Sequence, residues 1–199
     1  MMKHTLAAVR KSRILMGLAV LAVLGLTAGT AFAALCVWRN PSADIQEFFG
    51  GGSYRTLVVN VGNQKAAIER EIGTSLDPDE NVLQFWPVTR NGQRVGTVST
   101  HLGRGDYGAI EVVIAIVDPP GERAKVHQVK IQRDRERHRQ QLRSAEFLNQ
   151  FRGKQANSPL TVGQDIRPAH PNAVRGSEVV ALSVKKMLVA YEKLNIANR

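Results

Sequence analysis

Residues 175–178, Arg-Gly-Ser-Glu, have side chains and spacing suited to binding an anion. Gly176 and Ser177 precede an apolar series at helical spacing, made of Val180, Val184, Leu188 and Tyr191. A glycine and a hydroxyl residue at a helix start present free backbone N–H groups, and the helix dipole favours negative charge there. The same pattern is typical of an ordinary helix cap, so both interpretations stay open.

Four other short segments precede this stretch, at residues 86–96, 103–110, 146–154 and 162–166. In this order and spacing, the region from about 82 to 194 resembles the FMN-binding domain family. Its members include the extracytoplasmic flavin subunits of the Rnf complex and of the sodium-translocating NADH:quinone oxidoreductase. The resemblance implies a domain that passes electrons between redox partners in a membrane complex.

The resemblance also implies roles for particular residues. Arg175 and the backbone amides of Gly176 and Ser177 would hold the flavin phosphate. The glycine-rich loop from Gly105 to Gly108 would flank the flavin ring, with Tyr107 as the candidate for a ring contact. The alternative for this loop is an ordinary connection between two strands, in which glycines supply positive φ angles.

The chain departs from the family pattern in two places. Many members place a threonine before the last helix that holds FMN through a phosphoester, and that position falls on Glu178 here. Because a carboxylate cannot form this ester and repels a phosphate, we expect any FMN to be bound non-covalently. The family's Glu-Thr-Pro-Gly element near the cofactor has no equivalent in this chain. The second hypothesis is therefore a flavin-free accessory subunit that serves the assembly or stability of a membrane complex.

The N-terminal segment predicts a membrane anchor. Residues 1–13 are basic and contain no acid, and residues 14–38 contain no charged side chain, which is long enough to span a bilayer. The basic flank predicts a single-pass protein with its N-terminus inside and its C-terminal domain across the membrane. The resemblance to the extracytoplasmic flavin subunits implies the inner membrane of a bacterium, with this domain in the periplasm or extracytoplasmic space. Ala31-Phe32-Ala33 leaves a cleavable signal peptide as the alternative. Both interpretations place the domain outside the cytoplasm.

The charge pattern bears on the partners. The strongest basic run is Arg133 to Arg143, in which Asp134 and Glu136 are interleaved. A translocated domain meets little nucleic acid, so we expect none as a partner. Anionic lipid headgroups and an acidic partner protein are the candidates for the run itself, and a solvated helix face also explains it. The expected partners of the whole protein are subunits of a membrane redox complex and the lipid around the span.

The remaining pattern predicts an α+β fold, in which one antiparallel sheet is covered by helices. Residues 39–81 are expected to form a juxtamembrane helix capped by Ser42 and a connecting region, and residues 82–199 the FMN-binding-like domain. Asn91-Gly92 predicts a hairpin turn, and residues 110–117 a buried strand. Trp86 is assigned to the core rather than to a flavin, and Lys185, Lys186 and Lys193 to a solvated helix face.

The sequence favours an electron carrier or accessory subunit over a stand-alone enzyme. It contains neither a nucleophile elbow nor a Walker loop. Its histidines do not show the i, i+4 spacing of a metal site supported by nearby acids. Cys36 is the only cysteine, so an internal disulfide is excluded.

Overall fold

The structure is a computed structural model that describes residues 40–199. The predicted basic terminus at 1–13 and the predicted span at 14–38 lie outside the described residues. From residue 40 onward, the helices are all too short or too polar to cross a membrane. Residues 40–199 form one compact unit.

Six strands and five α-helices build this unit. The strands are β1 (Ser53–Tyr54), β2 (Leu57–Asn60), β3 (Val82–Arg90), β4 (Gln93–Arg104), β5 (Ala109–Val117) and β6 (Lys125–Arg133). The helices are α1 (Ser42–Phe49), α2 (Lys65–Ile72), α3 (Arg139–Leu142), α4 (Ala145–Leu148) and α5 (Val174–Lys193). Short 3₁₀ turns lie at Gly62–Gln64, Pro78–Asn81, Asn149–Phe151 and Ile196–Asn198.

The strands form a single antiparallel sheet in the order β1-β3-β4-β5-β6, with β2 also paired to β3. The predicted α+β class and antiparallel sheet are thus confirmed. The predicted β3–β4 hairpin is confirmed as well, because Asn91 and Gly92 both have positive φ angles, 53° and 76°. Such a two-residue turn matches the right-handed twist of the strands on either side.

The main core lies between one face of the sheet and α5. The even-numbered residues of β5 from Ile110 to Ile116 contribute to it, and α5 contributes Val180, Val184, Leu188 and Tyr191. The predicted helical spacing of this apolar series is therefore confirmed. Asn195 ends the helix region with a φ of 51°, a conformation that asparagine tolerates better than most residues.

A smaller core covers the opposite face of the sheet, where Ile45 and Phe48 of α1 pack on Trp86. Trp86 is fully buried, which confirms its assignment to the core. The predicted N-cap at Ser42 is wrong, because Ser42 is already the first helical residue. The side chain of Asn40 instead accepts a hydrogen bond from the Ser42 amide, at 2.9 Å.

Two further assignments change in the structure. Most of the basic run is not helical, since only residues 139–142 form a helix, so the solvated helix face does not describe Arg133 to His138. The lysines of α5 are not simply solvated. Lys186 is buried, Lys185 donates to the carbonyls of Ala156 and Ser158, and Lys193 pairs with Glu71 at 2.6 Å.

Candidate functional site

The start of α5 lies upstream of the predicted position. The sequence pattern suggested that Gly176 and Ser177 precede the helix, whereas the structure begins α5 at Val174. The reason is local: the amide of Ala173 donates to the carbonyl of His170 at 2.8 Å, which closes a turn and starts the helix early. Gly176 and Ser177 are therefore inside the first turns of the helix.

Both residues face the protein interior. The amide of Ser177 donates to the carbonyl of Ala173 at 3.0 Å. Its hydroxyl donates to the same carbonyl at 2.7 Å and accepts from the amide of Ala169 at 3.0 Å. A Cβ added to Gly176 would lie 3.0 Å from the Leu142 side chain. In this conformation the Ser177 amide is already used, and Gly176 packs against the core.

Arg175 and Glu178 point outward from the same helix. Their side chains are about half exposed and form an i, i+3 pair at 3.8 Å. Such an exposed pair contributes little to stability, roughly 0–1 kcal/mol. Both residues line a groove, so their charges are available at its mouth.

The groove runs between β4 and α5 and has a volume of about 240 Å³. Arg104, at the end of β4, and Arg175, in the first turn of α5, both line it. Gly103 forms part of the floor, because a side chain there would overlap Val179 of α5. The groove thus joins two segments that the sequence had singled out separately, the glycine-rich one and the start of the last helix. Gly105, Tyr107 and Gly108 themselves are not part of its lining.

A buried polar cluster lies beside this groove, and three of its members, His101, Ser183 and Lys186, line the groove. Glu80 accepts hydrogen bonds from Lys186 Nζ at 2.7 Å on both carboxylate oxygens, and it contacts the Nε2 of His101. The Nδ1 of His101 lies 2.8 Å from the Ser183 hydroxyl, which donates to the carbonyl of Val179 at 2.7 Å. All four residues of the cluster are at most 8% exposed.

The electrostatics of this cluster centre on Glu80. Burial acts to raise the pKa of the carboxyl group, but the hydrogen bonds from His101 and Lys186 outweigh it and hold the pKa at about 2. Glu80 is therefore ionised at neutral pH, with two nitrogen-bearing side chains around it.

The sequence did not identify this cluster. Glu80 belongs to a capping box with Asp77, in which the Asp77 amide donates to the Glu80 carboxylate at 2.7 Å. The Asp-x-x-Glu spacing was the one available signal, and it indicates a helix cap rather than a buried ion pair. His101 and Lys186 are far from Glu80 in the sequence, so only the packing of α5 on β4 brings them together.

The glycine-rich loop is held by a second buried carboxylate. The amide of Gly105 donates to the carbonyl of Gly108 at 2.8 Å, and Glu136 accepts from the amide of Tyr107 at 3.1 Å. A side chain at Gly105 would overlap the Glu136 carboxylate, which also lies close to Gly176. Glu136 therefore brings the predicted loop and the predicted helix start next to each other, but occupies the space between them.

Tyr107 is on the outside of this loop, with 51% of its surface exposed. The guanidinium carbon of Arg137 lies 5.8 Å from the centre of its ring, a cation–π arrangement. The ring is thus free on one side for a contact with another molecule.

The histidines do not form a metal centre with acids in the described part of the chain. His138 and His170 stack on each other with ring centres 4.2 Å apart, and His127 stacks on Phe49. These contacts explain three of the histidines as structural residues.

A comparison with protein-family models gives no match, and neither does a comparison with curated proteins. Membership of the FMN-binding domain family accordingly stays a prediction from the sequence motifs.

Proposed function

We propose that the protein is a membrane-anchored, extracytoplasmic domain of the FMN-binding type that takes part in electron transfer within a membrane redox complex. The observation that supports this proposal is the groove between β4 and α5. Arg104 and Arg175 both line it, on two segments that the family resemblance had selected. The anchor, at residues 14–38, rests on the sequence pattern alone.

The groove fits the phosphate of a flavin better than the whole cofactor. Ligand pockets for molecules of this size usually measure roughly 300–1,000 Å³, and this groove measures about 240 Å³. Two guanidinium groups are well suited to an oxyanion, since each offers paired N–H donors in a planar fork. The ring would lie outside the groove, where Tyr107 is the exposed aromatic candidate.

In this arrangement the cofactor and the protein have separate roles. A bound flavin supplies one- and two-electron transfer. Arg104 and Arg175 bind the phosphate in place of the buried amides of Gly176 and Ser177. Glu178 lowers the positive charge at the mouth and offers no route to a covalent phosphoester. The buried Glu80 cluster fixes the distance between β4 and α5, and so the width of the groove.

The second candidate function is a flavin-free accessory subunit of the same kind of complex. The burial of Gly176 and Ser177 supports it, as does the Glu136 carboxylate between the glycine loop and α5. A carboxylate at this place repels a phosphate at close range. The fold would then be retained for docking and stability rather than for redox chemistry.

The test is an absorbance and fluorescence spectrum of the full chain, purified in detergent and reconstituted with FMN, before and after acid precipitation. We expect flavin bands that move to the acid supernatant. The double variant Arg104→Ala/Arg175→Ala should weaken FMN binding by roughly ten-fold or more, because each lost charge-assisted hydrogen bond costs about 1.5–3 kcal/mol. Arg55→Ala/Arg70→Ala, which removes two exposed arginines elsewhere, is the matched control.

Each outcome decides between the candidates. Flavin that stays with the precipitate would mean covalent attachment and would refute the role given to Glu178. No binding after reconstitution would refute the carrier and leave the accessory subunit. Binding that both double variants weaken equally would place the flavin away from the groove.

A further inference from the structure

The basic run from Arg133 to Arg139 separates its charges by sign. All four arginines are exposed, whereas Asp134 and Glu136, which lie between them, are both 6% exposed. The two acids, which are interleaved with the arginines in the sequence, are therefore absent from the outer surface of the run.

Both acids form structural contacts inside the protein. Asp134 pairs with Arg143 at 2.5 Å and accepts a hydrogen bond from the amide of Glu136 at 3.0 Å. Glu136 accepts from the amide of Tyr107 at 3.1 Å. These bonds fix the backbone of the run and attach it to the glycine-rich loop.

In the part of the chain that the structure describes, three of the four outward arginines have no acidic partner. Arg137 lies over the ring of Tyr107, and Arg135 lies beside Gly108, with its Cδ 3.9 Å from where a Cβ of residue 108 would be. Within residues 40–199, neither arginine forms a salt bridge, nor does Arg139. Only Arg133 approaches a carboxylate, that of Glu111 at 3.6 Å. We name Tyr107, Arg135 and Arg137 the arginine–tyrosine surface.

We propose that the arginine–tyrosine surface docks an acidic segment of a partner protein. Carboxylates complement its charge, and the planar guanidinium fork binds them through two hydrogen bonds. Arginine and tyrosine are also the residue types enriched at the centres of protein interfaces. Residues 133–139 contain four arginines and no lysine, which favours a partner with planar acceptors over a diffuse anionic surface such as a membrane.

This docking does not depend on flavin. The surface shares no residue with the groove lining, but it includes Tyr107, the candidate for the ring contact. Flavin content is therefore compared in Arg135→Glu/Arg137→Glu, which leaves Tyr107 and the groove unchanged and is expected to keep its flavin. Docking and cofactor binding are therefore tested independently.

The experiment uses the full chain in nanodiscs of zwitterionic lipid and a short fluorescein-labelled peptide rich in glutamate. Fluorescence anisotropy should show salt-dependent binding, which Arg135→Glu/Arg137→Glu weakens by roughly ten-fold or more, because reversed charges repel the peptide. Arg55→Glu/Arg70→Glu makes the same change in net charge on other exposed parts of the domain and should change the affinity less than about two-fold. Tyr107→Ser should weaken binding without any change in net charge.

Equal loss of binding in the two double variants would overturn the proposal, because only the net charge would then matter. It would also be overturned if the peptide did not bind while vesicles rich in phosphatidylglycerol did, which would assign the surface to lipid. A third contradicting result is tighter binding of a single-stranded oligonucleotide than of the peptide. Thermal unfolding of each variant confirms that the fold is intact.

Discussion

Glu80 connects three segments that are distant in the sequence. Its carboxylate is the shared partner of His101 on β4 and Lys186 on α5, and it also accepts from the Asp77 amide. Buried ion pairs give little net stability when both partners are present, but removal of one partner leaves an uncompensated buried charge. Glu80 is therefore more important for holding β4 and α5 in register than for the net stability that its ion pair with Lys186 provides.

We predict that Glu80→Gln lowers the free energy of unfolding by about 3–5 kcal/mol, because Lys186 stays buried without its counter-charge. Glu122→Gln is the control, since it removes an exposed pair with Lys125 and should cost less than about 1 kcal/mol. Urea unfolding measures the free energy of unfolding of both variants. Equal effects of the two variants would show that the Glu80 cluster is not buried in solution.

At the scale of elements, the contact between β4 and α5 defines the groove. Gly103 makes that contact possible, because a side chain at this position would overlap Val179. A glycine within a strand often marks such a close approach of two elements. The sequence pattern placed Gly103 in the glycine-rich connection between two strands, whereas β4 extends through Arg104.

We predict that Gly103→Ala destabilises the protein by about 1–3 kcal/mol, since the added methyl group forces α5 away from β4. Gln93→Ala, at the exposed end of the same strand, should change stability by less than about 0.5 kcal/mol. Thermal or urea unfolding of both variants gives the comparison. A neutral Gly103→Ala would mean that α5 lies farther from the sheet than the structure has it.

At the scale of the whole molecule, the sheet is covered on both faces but unequally. The large core under α5 contains most of the buried apolar residues, and α1 covers a smaller patch around Trp86. The buried Glu80 cluster lies where α5 packs on β4, because its members come from both elements. Acid pH therefore acts on the contacts that join α5 to the sheet.

The pH dependence follows from the depressed pKa of Glu80, which is about 2 in the folded protein against 4.5 ordinarily. A depressed carboxyl pKa stabilises the fold fully above pH 4.5, and this stability is lost as the pH falls from 4.5 through 2. We expect the loss from this group to be on the order of 3 kcal/mol. Unfolding free energies of the wild type and of Glu80→Gln, measured across this range, should converge by that amount as the pH falls. A constant difference between them would contradict the assignment.

Local sequence patterns were enough to predict the β3–β4 hairpin, the buried strand at residues 110–117 and the apolar series of the long helix. These features depend on local spacing and on residues such as Asn91-Gly92, whose backbone preferences act within a few positions. The sequence also identified the two segments that meet at the groove, Gly103–Arg104 and Arg175–Glu178.

The directions in which the polar side chains point depend on tertiary packing. Lys186 is buried rather than solvated, Ser177 faces inward rather than toward an anion, and the acids of the basic run are hidden while its arginines are exposed. The physical reason is that burial of a charge depends on a partner from a distant segment. Such partners come together only when α5 and the glycine loop pack on the sheet. Local sequence patterns do not predict these contacts.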